Sequence, residues 1–578
     1  MDSFISLLQS SVSSIVQMIV LLGLLIFVHE LGHFLVAKYY KVRVEVFSLG
    51  FGPKIFKVKR GETVYAISAI PLGGYVKMFG DDPTADVGAD QKQFSFTHKP
   101  VGQRIAIVLA GPLMNLGFAI ILFAGVASLG EQALAPKLGD IDTETAAYAA
   151  GFRSGDTLVS LANESTVFKT WDDFQQLVDA SAGKLLQVSV ERVDSGQRDV
   201  IQVTPRLTNN KNVLSWDREV GEIGGISYLS RASVVGVSDP ESLAGKAGLK
   251  TGDIVQSING IKITRWREFK DLVEKNSAEV LALEVERGLL EEKDPAKLSS
   301  SSEASSIKIS IAVGAGLKGQ PAEKIFAALG VEFPELFLVN IEKGSPAEAA
   351  GLKRGDRVVS LDAKPVQTFE QVATHIRSFG QSVKQKDAKE ATLSIAVIRE
   401  GKEVNVAVAP NMKERMSPMG REERRFEVGI RPLIVDAPAQ TIELSFSNPI
   451  SAFQRGFVQT WNWTSLTVLS FVRLIQMEVS PKNIGGFLSI GKMAKQSWQM
   501  GVSHFLRMMA IISINLFVLN LFPVPVLDGG HLVFYSIEAL RGAPLSMRKM
   551  EIAQQVGLVL LLGLMVFALF NDFSRLLN

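Results

Sequence analysis

The sequence contains no cysteine, and this absence excludes disulfide bonds and thiol nucleophiles from its chemistry. An excess of charge of one sign is also missing, because 61 Lys and Arg residues face 59 Asp and Glu residues, for a formal net charge of +2. Such a balance gives no reason to expect a nucleic acid as partner. No Lys or Arg precedes Lys38, and the apolar N-terminal run continues directly into the letters HELGH. This pattern fits a retained membrane anchor better than a cleaved signal peptide.

Hydrophobic residues make up 47% of the chain and are gathered in long runs. Three runs are long enough to span a bilayer and a fourth is shorter: Val16–Val36, Ile105–Leu129, Met508–Val526 and Val556–Phe570. The loop between the first two runs is rich in Lys and Arg, which predicts that it is cytoplasmic, with both termini and the long region from Gly130 to Pro449 on the outer side. A further run, Phe457–Ile475, is interrupted by Asn462 and Arg473, which favours an interfacial helix over a fifth span.

The long region between the second and third runs repeats itself. AAGFRSGDTLVSL from Ala149, KAGLKTGDIVQSI from Lys246 and AAGLKRGDRVVSL from Ala349 each join an apolar strand to a turn, and an amphipathic helix then opens at WDDF, WREF or TFEQV. The pattern resembles PDZ domains of bacterial proteases, whose strand and helix form a groove that accepts a peptide by strand addition. The resemblance implies peptide binding by at least one repeat, with β-rich spacers as the alternative. The Ser-rich segment Lys297–Ser306 predicts a flexible insertion.

The letters HELGH lie inside the first apolar run. Helical spacing places the imidazoles of His29 and His33 on one face, with Glu30 beside them, which is a zinc-binding pattern. Ionisable residues at membrane depth cost about 2.5 to 3.5 kcal/mol each, so three together indicate a compensating partner such as a metal. Polar packing between helices is the alternative.

A hydrolytic zinc site uses three protein ligands and leaves one position for water. Asp528 is the best candidate for the third ligand, because it follows the third apolar run in the letters NLFPVPVLDGGH. Pro523 and Pro525 cannot continue a regular helix, so the backbone should open there and turn Asp528 toward the first span. The alternative for Asp528 is a turn residue at a helix end.

HELGH in a first span, together with the letters NxxPxPxLDGG from Asn520 to Gly530, resembles the site-2 protease family of intramembrane metalloproteases. GFGP at Gly50, IPLGGYVKM at Ile70, GPLMN at Gly111 and the closing ALFNDFSRLL are similar to its bacterial members. The resemblance implies zinc as cofactor, and its residue roles are zinc ligation by His29, His33 and Asp528, general base catalysis by Glu30, and substrate positioning by Asn520.

The resemblance also implies the substrates. These are transmembrane proteins, such as an anti-sigma factor already trimmed outside the membrane, and remnant signal peptides.

Two features of the sequence depart from the family. Bacterial members usually carry two PDZ domains where this chain has three repeats, and NIGGFLSIGK at Asn483 lacks the Gly-Pro usual at that point.

A substrate helix must unwind before its carbonyl can meet a metal, because a membrane helix hides its amides in internal hydrogen bonds. The segments VRVEVFSLG, KIFKVKRGETVYAIS and GGYVKM alternate like strands, with a turn at Arg60 and Gly61, and their edge is suited to hold an unwound substrate. A hairpin that only packs under the enzyme is the alternative. Gly73, Gly74 and Tyr75 of this segment are therefore candidate substrate-binding residues. Pro523 and Pro525 are further candidates, together with Asn520, whose role the resemblance implies. GPLMN opens the second run. Its Asn115 offers an amide to a neighbouring group and is a candidate for a structural role.

These observations predict a polytopic α-helical membrane protein of about four transmembrane helices, with a membrane-associated β-hairpin loop and β-rich PDZ-like extracytoplasmic domains. The predicted divisions are a membrane half with HELGH (1–130), three repeats (131–210, 211–330, 331–412), a linker with interfacial helices (413–500) and a second membrane half (501–578). The predicted location is a bacterial inner membrane, with the repeats in the periplasm and the active site toward the cytoplasm. The alternative function is a catalytically inactive membrane scaffold, although Glu30 beside two ligands favours an enzyme. A serine protease is less favoured, because no GxSxG setting is present.

Overall fold

The computed structural model describes residues 2–81, 87–162, 166–275, 280–288, 305–317, 320–382, 392–416 and 422–577. Within these residues four helices are long and apolar enough to cross a membrane: Val16–Tyr39, Val101–Leu129, Val502–Asn520 and Met547–Ser574. The predicted combination of four apolar helices with substantial β structure is confirmed. The predicted interfacial segment Phe457–Ile475 is not among the four.

The N-terminal membrane half consists of two helices and two long strands: α1 (Asp2–Tyr39), β1 (Val44–Arg60), β2 (Thr63–Met78) and α2 (Val101–Leu129). The prediction that GPLMN opens the second span is wrong, because α2 already begins at Val101, directly after Pro100. The pattern of apolar residues did not indicate this start, because the first turn of α2 is polar and the apolar run begins only at Ile105. GPLMN therefore lies in the middle of α2, with Pro112 inside the helix.

β1 and β2 bend and pair with each other twice. Val46 to Leu49 of β1 pair with Gly74–Lys77 and also with Val64–Ile67 of β2, while Phe56–Arg60 pair with Thr63–Ile67. The two bent strands therefore form a four-stranded antiparallel sheet, whose segments lie in the order 74–78, 44–49, 63–68 and 54–60. The sheet therefore has two edges, the Gly74–Met78 edge and the Lys54–Arg60 edge. The predicted turn is confirmed, because β1 ends at Arg60 and β2 begins at Thr63.

The region that repeats in sequence forms three β units, each with an antiparallel sheet and a helix beside it. The first unit contains β3 (Glu131–Leu134), α3 (Ala146–Ala150), β4 (Thr157–Leu161), α4 (Trp171–Asp179), β5 (Leu186–Glu191), β6 (Arg198–Val203), β7 (Arg206–Asn209) and β8 (Glu219–Glu222). The second contains α5 (Leu243–Lys246), β9 (Ile254–Ile258), β10 (Ile261–Lys262), α6 (Trp266–Lys275), β11 (Val280–Arg287), β12 (Ser305–Ala312) and α7 (Ala322–Leu329).

The third unit begins with β13 (Leu338–Ile341), α8 (Pro346–Ala349), β14 (Arg357–Leu361), β15 (Lys364–Pro365), α9 (Phe369–Ser382), β16 (Leu393–Arg399) and β17 (Lys402–Val408). It continues through β18 (Asn411–Met416), β19 (Glu422–Glu427) and β20 (Ile430–Pro432), and β21 (Thr441–Leu444) then returns to pair with β3. The helices α4, α6 and α9 start within the letters WDDF, WREF and TFEQV, as predicted.

One buried ion pair recurs in all three units and explains why the GD letters repeat. An aspartate that is 1% exposed binds an arginine from a neighbouring strand end, in the pairs Asp156–Arg192, Asp253–Arg287 and Asp356–Arg399 at 2.6, 2.6 and 2.7 Å. The glycine before each aspartate has a φ of +82° to +90°, a conformation that side chains rarely adopt. The turn and the ion pair together close each unit around its own core.

The units extend beyond three of the predicted limits. The core of the first unit reaches past residue 210 to Ile223. Part of 413–500, predicted as linker, returns to the third unit, where β20 pairs with β13 and Val428 joins the core. Of the predicted flexible insertion, residues 297–304 lie outside the described residues, whereas Ser305 and Ser306 belong to β12 and pair with β11. Sequence periodicity missed these limits because they depend on pairing between distant strands.

The C-terminal half is helical, with α10 (Pro449–Ile475), α11 (Phe487–Gln499), α12 (Val502–Asn520), α13 (Asp528–Arg541) and α14 (Met547–Leu577). The predicted third span, Met508–Val526, is wrong at both ends, because α12 starts at Val502 and ends at Asn520. Proline lacks a backbone N–H and disfavours helical conformation in the residue before it, so Pro523 and Pro525 end the helix. The fourth span is longer than predicted, since α14 continues on both sides of Val556–Phe570.

Candidate metal centre

Two glycines allow α1 and α2 to approach each other at HELGH. A Cβ on Gly32 would lie 2.3 Å from the carbonyl oxygen of Ala110, and a Cβ on Gly111 would lie 2.3 Å from Nε2 of His33. Neither position therefore accepts a side chain without movement. Small residues of this kind let membrane helices pack closely, and here they leave the space over Gly111 to the two imidazoles.

The turn between α12 and α13 brings Asp528 to the histidines. Asp528 lies in the first turn of α13, directly after the segment that contains Pro523 and Pro525. A Cβ on Gly529 would lie 2.2 Å from the carbonyl oxygen of Phe522, and one on Gly530 would lie 2.4 Å from Cα of Pro525. The two glycines therefore let α13 fold back against the proline turn, which directs the carboxylate toward α1 as the sequence predicts.

The three candidate ligands converge on one point. Nε2 of His29 lies 3.1 Å from Oδ2 of Asp528 and 3.2 Å from Nε2 of His33, and the latter is 3.6 Å from the same carboxylate oxygen. Ligands about 2.0 Å from a tetrahedral zinc ion are separated from one another by about 3.3 Å. Among the described residues, His29, His33 and Asp528 are the only His, Cys, Asp or Glu group with ligand atoms this close, all within 4.8 Å. The donor set and its spacing fit zinc.

The second ring nitrogen of each histidine also has a partner. Nδ1 of His33 lies 2.9 Å from the carbonyl oxygen of Ile107, so that it donates its hydrogen there and leaves Nε2 free for a metal. Nδ1 of His29 faces the side-chain amides of Asn115 and Asn520 at 3.3 and 3.4 Å. Oδ1 of Asn115 is buried and has no hydrogen-bond partner among the described residues. If this amide is turned over, its oxygen accepts from a protonated Nδ1 of His29, which is the tautomer that a metal on Nε2 requires.

Glu30 lies between the histidines and the sheet. Its carboxylate is within hydrogen-bonding reach of the backbone amide of Val76. A Cβ on Gly74 would lie 3.1 Å from Cγ of Glu30 and 3.0 Å from the carbonyl oxygen of Ser48. The absence of a side chain at Gly74 thus lets the Gly74–Met78 edge run directly past Glu30.

The remaining sequence-predicted residues surround this group. Gly73 has a φ of +143°, and a Cβ there would lie 1.9 Å from the ring of Phe51, which stacks on Tyr75 at 6.3 Å. Pro523 is exposed, whereas Cδ of Pro525 lies 3.1 Å from the place of a Cβ on Gly557 in α14. Gly73 and Tyr75 therefore shape the sheet edge, and the prolines shape the turn that carries Asp528.

Sequence reasoning missed two residues that hold the site. The carbonyl of Ile107 orients His33, but a backbone group leaves no signal in a sequence. Ser513 is fully buried in α12 and donates a 2.8 Å hydrogen bond to the carbonyl oxygen of Asn115, which joins α12 to α2. A polar residue inside the apolar run MMAIISINLF was the available signal for it.

Known proteins resemble this chain over nearly its whole length. A model of peptidase family M50 matches residues 17–564. The chain is 29% identical to protease RseP of Yersinia pestis over 98% of this chain and 100% of that protein. It is 30% identical to regulator of sigma-E protease RseP of Escherichia coli K12 over 96% of this chain and 98% of that protein. A protein of Neisseria meningitidis named as a zinc metalloprotease is also 30% identical, over 96% and 97%.

Proposed function

The chain belongs to peptidase family M50, the site-2 protease family, and is a zinc metalloprotease, and from this premise we propose that it cuts the transmembrane segments of other membrane proteins. The observation that carries the proposal is the position of the candidate ligands. His29 and His33 lie within one candidate span, and Asp528 begins the helix that follows another, after the segment 521–527. A substrate that reaches them arrives from within the bilayer.

Different residues of this chain have different roles in the proposed hydrolysis. His29, His33 and Asp528 would hold zinc, which when bound supplies Lewis acidity to a substrate carbonyl and to water. Glu30 accepts the proton of the attacking water and passes it to the nitrogen of the departing amine as the peptide bond breaks. The partners of His29 and His33 keep both rings oriented, so that the reacting groups meet without rearrangement. Asn520, which faces the site beside His29, is placed to contact a substrate.

The Gly74–Met78 edge is the surface we assign to an unwound substrate. Among the described residues this edge pairs with only one neighbouring segment, Val44–Leu49, so its other side is open for an added strand. The amide of Val76 faces Glu30, so a strand added here would carry its peptide groups past the candidate base. An extended substrate is required because the amides of a helix are satisfied internally.

A test of the reaction uses Glu30→Gln in the full chain. The amide keeps the shape of the side chain but cannot accept a proton from water, so cleavage of a transmembrane substrate should stop while zinc content stays unchanged. Zinc is measured by mass spectrometry of the purified protein and cleavage by immunoblot. Appreciable cleavage by this variant would overturn the assigned mechanism.

The proposed substrates are anti-sigma factors already trimmed outside the membrane, and remnant signal peptides. The name of the Escherichia coli relative, regulator of sigma-E protease, supports the first class. The proposed location is a bacterial inner membrane, with the β units in the periplasm and the metal centre toward the cytoplasm, which the basic loop after α1 supports.

The β units are proposed to exclude substrates that still carry a folded outer domain. They join the membrane half through the β3–β21 pair, where Glu131 binds Arg455 at 3.0 Å and Arg507 at 2.9 Å. This ion cluster connects the base of the units to α10 and α12, so the units stay close to the helices. Leu134 and Thr441 are paired, so residues 135–440 can be replaced by a short Asn-Gly turn without disturbing the two strands.

The expected result of this deletion is cleavage of both trimmed and untrimmed substrate, with zinc content unchanged. The full chain should cut only trimmed substrate, and the deletion combined with Glu30→Gln should cut neither. If the deleted enzyme cuts trimmed substrate and still refuses the untrimmed form, exclusion by the β units is wrong.

The third unit is the one we propose to bind peptide, because a cavity lies between its own helix and its own strand. In the first unit β8 lies directly against α4, where a Cβ on Gly221 would be 2.2 Å from the carbonyl oxygen of Val178. In the second, Phe326 of α7 fills the groove and packs 5.3 Å from Trp266. In the third, a cavity of about 380 Å³ remains between α9 and β20, lined by Phe369, Ala373, Ile376, Val428 and Ile430 among others.

Filling this cavity tests the assignment. Ala373→Trp should abolish crosslinking of a peptide from the outer part of a substrate, whereas Gln371→Trp on the exposed side of α9 should not. Equal crosslinking by both variants would refute the assignment of peptide binding to the third unit.

A further inference from the structure

The Lys54–Arg60 edge of the membrane-half sheet is exposed along its whole length. It presents large apolar side chains, since Ile55, Phe56 and Val58 are 61, 68 and 66% exposed. An open sheet edge with apolar side chains is a template for aggregation in water, and proteins rarely leave one uncovered. The edge therefore needs a covering partner.

The apolar side chains continue a face of the sheet that packs on α1. Phe56 pairs with Ile67 and Val58 with Tyr65, and directly paired residues point to the same face. Tyr65 in turn lies 6.0 Å from the ring of Phe34 in α1. This face therefore extends outward from a helix that is long and apolar enough to cross a membrane.

The same edge carries cations without carboxylate partners. Three basic residues nearby have carboxylate partners, because Glu62 binds both Lys38 at 3.0 Å and Arg43 at 3.1 Å, and Glu45 binds Lys77 at 2.8 Å. By contrast, no described acid forms an ion pair with the four cations of the edge, which are Lys54, Lys57, Lys59 and Arg60. Their positive charge is available to an external partner.

We propose that the Lys54–Arg60 edge binds the acidic headgroups of the phospholipid bilayer. The contact of Glu62 with Lys38 places the turn after Arg60 level with the last turn of α1, where a span meets the headgroups. Phe56 and Val58 then reach the acyl boundary, while Lys57, Lys59 and Arg60 reach lipid phosphates. A cationic segment next to a span is attracted to anionic lipid by roughly fivefold in affinity per charge. The proposal depends on α1 crossing the membrane and not on the proteolytic chemistry.

Edge lysines also have a structural explanation, since they discourage strand-to-strand aggregation in many proteins. That explanation predicts no preference for one lipid over another. The two accounts therefore differ in a measurable way.

The test uses the absence of cysteine, which makes Val58→Cys a single labelling site in the full chain. The labelled protein is placed in bilayers of phosphatidylcholine that contain a small equal fraction of quencher-bearing phosphatidylglycerol or quencher-bearing phosphatidylcholine. We expect stronger quenching by phosphatidylglycerol, with a relative occupancy on the order of fivefold or more, which falls when salt screens the charges.

The combined substitution Lys54→Gln, Lys57→Gln, Lys59→Gln and Arg60→Gln should reduce this preference to about one while quenching by phosphatidylcholine persists. The matched control replaces four lysines exposed on the third β unit, Lys343, Lys353, Lys364 and Lys402, and should leave the preference unchanged. Zinc content verifies that each variant is folded. The proposal is overturned if the Val58→Cys protein with its edge cations intact is quenched equally by both lipids, or by neither.

Discussion

Replacing Gly111 with alanine tests the metal centre by a change that touches no ligand directly. The added Cβ would lie 2.3 Å from Nε2 of His33 and 2.9 Å from Cε1 of His29. Carbon and nitrogen atoms in contact prefer about 3.5 Å, so the His33 ring must retreat by about 1 Å. Metal–ligand distances tolerate changes of only about 0.2 Å, and Nε2 of His33 would therefore leave the position that zinc requires.

We expect Gly111→Ala to lower zinc affinity by at least about a hundredfold, the upper end of what is lost when only an outer contact of a ligand is removed. The matched control is Gly117→Ala on the same helix, where a Cβ would meet nothing within 4 Å. Alanine is favoured over glycine in a helix by about 1 kcal/mol, so this control should keep its zinc and its fold. Zinc content and cleavage of a transmembrane substrate are measured for both variants. Normal zinc content and cleavage in Gly111→Ala would refute the placement of the imidazoles over Gly111.

Two further predictions address the third ligand and the β units. Asp528→Ala should lower both zinc content and cleavage, because it removes a ligand and not the base, and full zinc content in this variant would assign the third ligand elsewhere. Asp253→Ala removes the buried carboxylate that binds Arg287 in the second unit and should lower the free energy of unfolding by about 3 kcal/mol, seen as faster proteolysis of that unit. Glu241→Ala, which breaks an exposed pair, should change it by less than about 1 kcal/mol, and equal effects of the two changes would contradict the structural role of the buried pair.

The membrane half was largely predictable because its signals are local. Helical spacing places His29 and His33 on one face from the letters alone, and four apolar runs specify four helices. The ends of those helices were less predictable. Pro523 marks where α12 must stop, yet the run of apolar letters continues past it and conceals the end at Asn520.

The limits of the β units were not predictable from periodicity, because they depend on pairing between strands that lie far apart in the sequence. β3 finds its partner in β21, and β13 finds its partner in β20. A strand of four residues such as Thr441–Leu444 is too short for its alternation to be distinctive, so only its partner identifies it. The repeated GD letters, in contrast, were readable because each unit satisfies the same local demand for a turn and a buried charge pair.

The candidate site shows why residue types were easier to predict than their contacts. Each ligand has a distinctive side chain, whereas the groups that orient the ligands include the carbonyl of Ile107 and the empty space above Gly111. A glycine selected to leave room for an imidazole has the same letter as one selected for a turn. Asn115 illustrates the same difficulty, since a buried amide in a span fits both helix packing and ligand orientation. Its Nδ2 lies 3.3 Å from Nδ1 of His29, while its Oδ1 has no hydrogen-bond partner in the part of the chain that the structure describes. This arrangement favours ligand orientation, and it exists only in three dimensions.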